Sequence, residues 1–153
     1  MMQTRFLLAF VLLASAASSQ PAFPKHALSV NGFRNPSIGL EYQHQRWSVH
    51  GGYYVTNFTS GVTTAFVRAG ISYWWLPVGK GRASMPSSFY SGVSYLRGLT
   101  RSYRQQNAYA AEIGFRYYVW RGLNARLGLI ALAARHQPVR FNPTPAISYS
   151  FRF

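Results

Sequence analysis

The stretch AISYSFRF, residues 146–153, decides the fold of this chain. Its bulky apolar residues share one parity and its small or charged residues share the other. Because successive side chains of a β-strand point to opposite faces, a strand here has one apolar and one polar face. The apolar face consists of Ile147, Tyr149, Phe151 and Phe153. The stretch therefore predicts a β-strand whose apolar side is largely aromatic.

The same alternation recurs upstream between turn and loop signals. The predicted strands are 26–32, 37–43, 46–56, 63–75, 87–97, 107–120, 123–134 and the closing stretch. Tight turns are expected at 44–45 and 121–122, and longer connections at 57–62, 76–86, 98–106 and 135–145. Most of these strands are near the roughly 9–11 residues that cross a bilayer at a barrel's tilt. The pattern predicts an all-β, eight-stranded antiparallel up-and-down transmembrane β-barrel.

The closing strand resembles the C-terminal signature of bacterial outer-membrane β-barrels, carried here by Tyr149, Phe151 and Phe153. The resemblance implies recognition by the barrel-assembly machinery of a Gram-negative cell. It also implies a small, porin-like architecture similar to the OmpA transmembrane domain or OmpX, covering roughly 25–153. No further domain is expected after the closing strand.

Composition agrees with export to a membrane. Residues 1–19 read as a secretory signal peptide, with an apolar core at 6–13 and cleavage expected after Ala16 or Ser19. Residues 20–153 would then form the barrel. The mean hydropathy of -0.06 is too low for a helical membrane protein, although aromatic residues reach 17%. The net charge of +14 favours an anionic partner, and export argues against nucleic acid.

Tryptophan and glycine support the same topology. All four tryptophans fall at strand ends that the topology assigns to the periplasmic side, as in an interfacial girdle: Trp47, Trp74, Trp75 and Trp120. Glycines recur on the polar parity, where they would make room for larger neighbours inside a narrow barrel. These are Gly39, Gly52, Gly70, Gly92, Gly114 and Gly128.

The charged residues divide into two sets. Glu41 and Glu112, the two acids of the chain, are predicted to point inward and to form a salt-bridge plug with Arg68, Arg116, Arg126 and Arg152. A charged gate or anion path is the alternative for this set. The second set lies in or beside the outer loops and is expected to contact lipopolysaccharide or another polyanion: Arg34, Arg97, Arg101, Arg104, Arg135 and Arg140. Deleting 98–106 is expected to weaken that contact and to leave folding intact.

The most consistent function is a non-enzymatic, monomeric outer-membrane barrel with a structural or surface-interaction role. Its partners would be outer-membrane lipid and lipopolysaccharide, with no nucleic acid, cofactor or metal. Two alternatives stay open. Glu41, Ser48 and His50 have the residue types of an acyl-transfer triad, so a lipid A-modifying hydrolase competes. A soluble periplasmic carrier barrel would have the same strand number with the opposite polarity.

Overall fold

The computed structural model describes residues 23–33, 37–59, 62–79 and 85–153, without the side chains of 58 and 59. The predicted signal peptide, 1–19, lies outside the described residues. Within them, helix is limited to one 3₁₀ turn, Arg101–Tyr103. No described helix has both the length and the apolar character needed to cross a membrane.

Strands make up the rest of the regular structure. The first seven strands each pair antiparallel with the next, the last two both pair with the seventh, and the last also pairs with the first, so the sheet closes on itself. In chain order the strands are β1 His26–Phe33, β2 Ile38–His44, β3 Trp47–Thr59, β4 Val62–Val78, β5 Ser87–Gly98, β6 Asn107–Trp120, β7 Leu123–Ala134, β8 Arg140–Pro143 and β9 Ala146–Arg152.

The short segments β8 and β9 occupy one position in the barrel. Both pair with β7 in a single unbroken register, from Arg140 opposite Leu132 to Tyr149 opposite Leu123. Between them the Thr144 N–H donates to the Gly128 carbonyl at 2.8 Å. Pro145 has no N–H to give, so the hydrogen-bond ladder is interrupted there without a change of register. The eight-stranded antiparallel barrel expected from the sequence is confirmed.

The closure is staggered. Ser29 pairs with a residue of β2, that residue pairs with one of β3, and this path continues around the barrel until it reaches Arg140 in β8. In the other direction Ser29 pairs directly with Ser150 in β9, which occupies the same position in the barrel as β8. The offset between Arg140 and Ser150 is ten residues. Such a stagger makes the strands tilt against the barrel axis.

Several connections differ from the expected ones. Leu76–Val78 belong to β4 and pair with β5, so the connection expected at 76–86 begins only at Gly79. Residues 57–59 and Val62 are also strand, which shortens the loop expected at 57–62. The loop expected at 135–145 contains β8. In each case cross-strand pairing extends a strand into a stretch with proline, glycine or polar residues.

The barrel has two distinct ends. The turns at 45–46 and 121–122, the connection after Gly79 and both described chain ends lie at one end, which we call the turn end. The connections after β1, β3, β5 and β7 lie at the other, which we call the loop end.

The polarity of the barrel is inverted relative to that of a soluble protein. Among the described residues, 32 large hydrophobic side chains are exposed, while the buried set contains 18 polar or charged residues and 15 hydrophobic ones. Most of the exposed set has the outward parity of its strand, as the alternation predicts, and the exceptions include Phe33 and Trp120 at strand ends. The interior therefore holds the polar face, and the outer wall holds the apolar face.

Aromatic rings concentrate toward both ends of the outer wall, and aliphatic side chains lie between them. At the turn end Trp47, Trp75 and Trp120 are exposed on the wall. The fourth tryptophan departs from the expected girdle, because Trp74 points inward and is 1% exposed. Trp74 has the parity of the buried Arg68 and Ser72, and the register irregularity that follows it leaves both Trp75 and Leu76 exposed on the outer wall.

The loop end of the interior is closed by an apolar cluster. Tyr103, from the 3₁₀ turn, packs edge-to-face on Phe66 with ring centroids 5.3 Å apart. Leu96, Ile130 and Leu132 complete the cluster with Tyr54, Ala108 and Ala110. The connection 99–106 is therefore folded over the barrel and contributes to its core.

Candidate functional site

The middle of the interior contains two ion-pair groups, and the first is centred on Glu41 of β2. Arg116 Nη2 contacts both carboxylate oxygens of Glu41, at 2.9 and 2.8 Å, in a bidentate arrangement. Arg126 Nη1 donates to Glu41 Oε2 at 2.8 Å. The Glu41 and Arg116 side chains are 0% and 1% exposed. Charges held this far from water require close partners, which the two guanidinium groups provide.

The second group is centred on Glu112 of β6. Arg68 Nη2 lies 2.5 Å from Glu112 Oε2. The Tyr90 and Thr144 hydroxyls both donate to Glu112 Oε1, at 2.7 and 3.1 Å. This group joins residues from four different strands, β4, β5, β6 and the segment between β8 and β9. It fastens the last strand to the far side of the barrel.

Aromatic rings connect the two groups. The Arg116 guanidinium lies 4.0 Å from the Trp74 ring centroid, and that of Arg126 lies 4.6 Å from the Tyr90 centroid. Trp74 and Tyr90 are themselves in contact, with centroids 4.8 Å apart. Cation–π stacking of this kind favours arginine in a desolvated site. Trp74 has the same parity in β4 as the buried Arg68 and Ser72, so the alternation places it inside, although the expected girdle assigned it to the outer wall.

Two glycines create the space for this arrangement. A Cβ atom on Gly114 would lie 2.7 Å from the Tyr90 hydroxyl, and one on Gly128 would lie 2.8 Å from Thr144 Oγ1. Both hydroxyls are donors to Glu112. The two glycines also face each other across β6 and β7. Their role is thus the one expected of inward glycines in a narrow barrel.

Arg152 is not part of the buried set. Although it has the inward parity of Ser148 and Ser150, it is exposed at the end of β9. It pairs with Ala27 of β1 at the turn end of the barrel, and its side chain lies outside the buried set that the other five residues form. The other five residues expected in the interior network are buried, and each takes part in an ion pair.

The candidate acyl-transfer residues are not arranged as a triad. Glu41 pairs with His50 across the strands, and Ser48 pairs with Gln43 instead of Glu41. The Ser48 hydroxyl accepts a hydrogen bond from the Trp74 indole at 3.0 Å. The two ring nitrogens of His50 contact Ser94 and Ser72, at 3.0 and 3.3 Å. The observed register therefore places His50, and not Ser48, opposite Glu41.

The arginines expected at the outer loops are found at the loop end wherever they are described. They are all exposed: Arg97, Arg101, Arg104, Arg135 and Arg140. Arg34 lies outside the described residues. Both acids of the chain are buried in the interior, so no carboxylate side chain lies among these arginines. The loop end therefore presents an uncompensated positive surface.

No cluster of three potential metal ligands from histidine or acidic residues occurs among the described residues. Comparison with models of known protein families, with curated proteins and with solved structures finds no match to this chain.

Proposed function

We propose that this protein is a bacterial outer-membrane β-barrel whose outer wall is solvated by lipid. The observation that carries the proposal is the inverted polarity of a closed barrel. Exposed apolar side chains on this scale would be an aggregation hazard in water. In a bilayer they are favourable, because a closed barrel satisfies its backbone hydrogen bonds internally. The aromatic residues near both ends of the wall match the two interfaces of a membrane.

The interior is proposed to act as a plug that stabilises the barrel. An eight-stranded barrel has an interior just wide enough to be filled by its own side chains. Here the two ion-pair groups fill the middle, and the apolar cluster of Phe66, Leu96 and Tyr103 fills the loop end. This arrangement supports a structural barrel and disfavours the charged gate that the arginines alone would allow.

The basic loop end is proposed to contact lipopolysaccharide on the cell surface. Lipopolysaccharide is rich in phosphate, and arginine binds phosphate through bidentate charge-assisted hydrogen bonds. The support is the exposure of five arginines at the loop end, together with the burial of both acids.

Membrane fractionation with gel migration tests the first part of the proposal. The full chain, expressed in a Gram-negative host, should be recovered with the outer membrane. It should migrate faster unboiled than boiled, because membrane barrels resist detergent until heated. Recovery in the soluble periplasmic extract, with migration unaffected by boiling, would instead identify a soluble carrier.

The test of the loop end must keep the connection 99–106 intact. Deleting 98–106, as the sequence suggests, would remove Tyr103 from the apolar cluster and so disturb the fold. The double variant Arg101→Gln, Arg104→Gln removes two exposed charges and keeps the backbone. Binding to immobilised lipopolysaccharide should fall several-fold at low salt and less at 0.5 M salt, because salt screens such contacts. Arg121→Gln, at the turn end, is the matched control; equal binding by both variants would refute the loop-end role.

The hydrolase alternative is tested by the lipid A of cells that express the protein. The contacts of Ser48 with Trp74 and of His50 with Ser94 favour a structural role for these side chains. Mass spectrometry should show the same acylation of lipid A with the wild-type chain and with His50→Gln. A loss of acyl chains that depends on His50 would establish the enzyme.

A further inference from the structure

A groove of about 650 Å³ lies on the outer wall across β4, β5, β6 and β7. Its floor contains four alanines from three of these strands, Ala69, Ala111, Ala131 and Ala133. Elsewhere the same face of the wall is occupied mainly by larger residues, such as Ile113, Leu127 and Leu129. The groove therefore lies where small alanine side chains replace the larger side chains of the surrounding outer wall.

The walls of the groove are apolar and aromatic. Tyr95 and Tyr109 stand edge-to-face with centroids 5.8 Å apart, and they pair across β5 and β6. Ile71, Val93 and Val139 line the remaining sides. A groove with this lining accepts a flexible hydrocarbon chain more readily than a polar ligand.

Two arginines lie at the loop-end edge of the groove. Arg97 is two residues beyond Tyr95 on the same face of β5, and Arg135 is two residues beyond Ala133. Two residues of a strand span about 7 Å, so both charges are close to the end of the groove. The Arg97 guanidinium donates to Asn107 Oδ1 at 2.5 Å, which directs it toward β6. Both arginines are exposed.

We propose that the groove holds one acyl chain of lipid A and that Arg97 and Arg135 bind a phosphate of the same molecule. This inference rests on the proposed outer-membrane location. A second copy of the chain fits less well, because each copy would bring the same uncompensated arginines to the contact and like charges repel. A phosphorylated lipid satisfies both features together, with its chain in the groove and its phosphate at the basic edge.

Native mass spectrometry of the purified full chain tests the site. The barrel would be released from detergent micelles that contain hexa-acylated lipid A, either bis-phosphorylated or with both phosphates removed. We expect retention of one bis-phosphorylated lipid A and about tenfold less of the dephosphorylated form, the factor that corresponds to one lost charge-assisted contact. Ala111→Phe, which fills the groove, and Arg97→Gln, which removes the charge, should each reduce lipid A retention about tenfold.

Two variants serve as matched controls. Ala125→Phe makes the same change at an exposed alanine of β7 outside the groove, and Arg121→Gln removes an exposed arginine at the turn end. Both should retain lipid A as the wild-type chain does. Heat-modifiable migration of every variant checks that it has folded.

The outcomes separate this inference from the membrane proposal. If the wild-type chain is not heat-modifiable and does not enter the membrane, the proposed function itself fails, and the lipid site fails with it. If the chain is heat-modifiable but retains bis-phosphorylated lipid A no better than dephosphorylated lipid A, only the lipid site is overturned. Retention of lipid A by Ala111→Phe at the wild-type level would also overturn the lipid site. So would a dimer of the chain that Ala111→Phe alone disrupts, because the groove would then bind a second copy.

Discussion

The interior and the outer wall of this barrel are built from alternate residues of the same strands, yet they follow opposite rules. Inside, the buried carboxylates have specific partners, as Glu41 has in Arg116 and Arg126. Outside, apart from the groove and the two ends, the side chains share only their apolar character. The specific contacts that order the barrel therefore lie in its interior, whereas its wall provides an apolar outer surface.

The largest effect is expected from breaking the interior at Glu41. Glu41→Ala would leave Arg116 and Arg126 buried without their carboxylate, and removing one partner of a buried ion pair costs about 3–5 kcal/mol. Urea unfolding of the barrel in lipid vesicles, followed by the heat-modifiable fraction, measures the loss. Leu40→Ala, the neighbouring residue on the outer wall, is the control and should cost far less. Equal losses would show that the interior ion pairs do not order the barrel.

A charge placed on the wall tests the opposite rule. Ile113 is exposed in the middle of β6, next to the buried Glu112. Ile113→Arg should destabilise the barrel in vesicles by about 2–4 kcal/mol, the cost of arginine at the bilayer midplane. Val119→Arg, near the turn end of the same strand, should cost about 0–1 kcal/mol. If position along the strand made no difference, the wall would not be facing a bilayer.

A smaller effect is expected from the glycines, which differ between the two faces. Gly128→Ala would force a Cβ against Ile113 O and Thr144 Oγ1, both 2.8 Å away, and overpacking of this kind costs about 1–3 kcal/mol. Gly51, on the outward face of β3, has its nearest neighbour for such a Cβ at 3.6 Å, which is an ordinary contact. The same unfolding assay should show Gly51→Ala close to wild type. If Gly51→Ala lowered the stability of the barrel and Gly128→Ala did not, the inward face would not be the more tightly packed of the two.

Much of the fold could be read from the sequence because period-2 alternation is a local property. The bounds of β6 and β7, including the turn between them, are those that the pattern predicts. The sequence predicted strand bounds less well where a segment becomes a strand only because a neighbouring strand pairs with it. The segment Leu76–Val78 includes a proline, yet it pairs with β5. Likewise β8 forms within a proline-containing stretch, because β7 offers it a free edge.

Part of the candidate site could be predicted from the sequence for the same reason. Parity alone placed Glu41, Glu112, Arg68, Arg116 and Arg126 on the inward face. The same parity includes Trp74, which shares the face of Arg68 and Ser72, although the expected girdle grouped it with the outward tryptophans. Parity could not fix the cross-strand register, which pairs His50 rather than Ser48 with Glu41.

By itself the sequence determined which side chains share a face, because that follows from the alternation of a single strand. It therefore fixed the composition of each face of the barrel wall, and the closed structure shows that the polar face points inward. Only the tertiary structure decided which of those side chains meet, because register and closure are properties of strand pairs. The pairing of Arg116 and Arg126 with Glu41, and the alanine groove between Ile71 and Val139, exist only once the sheet has closed.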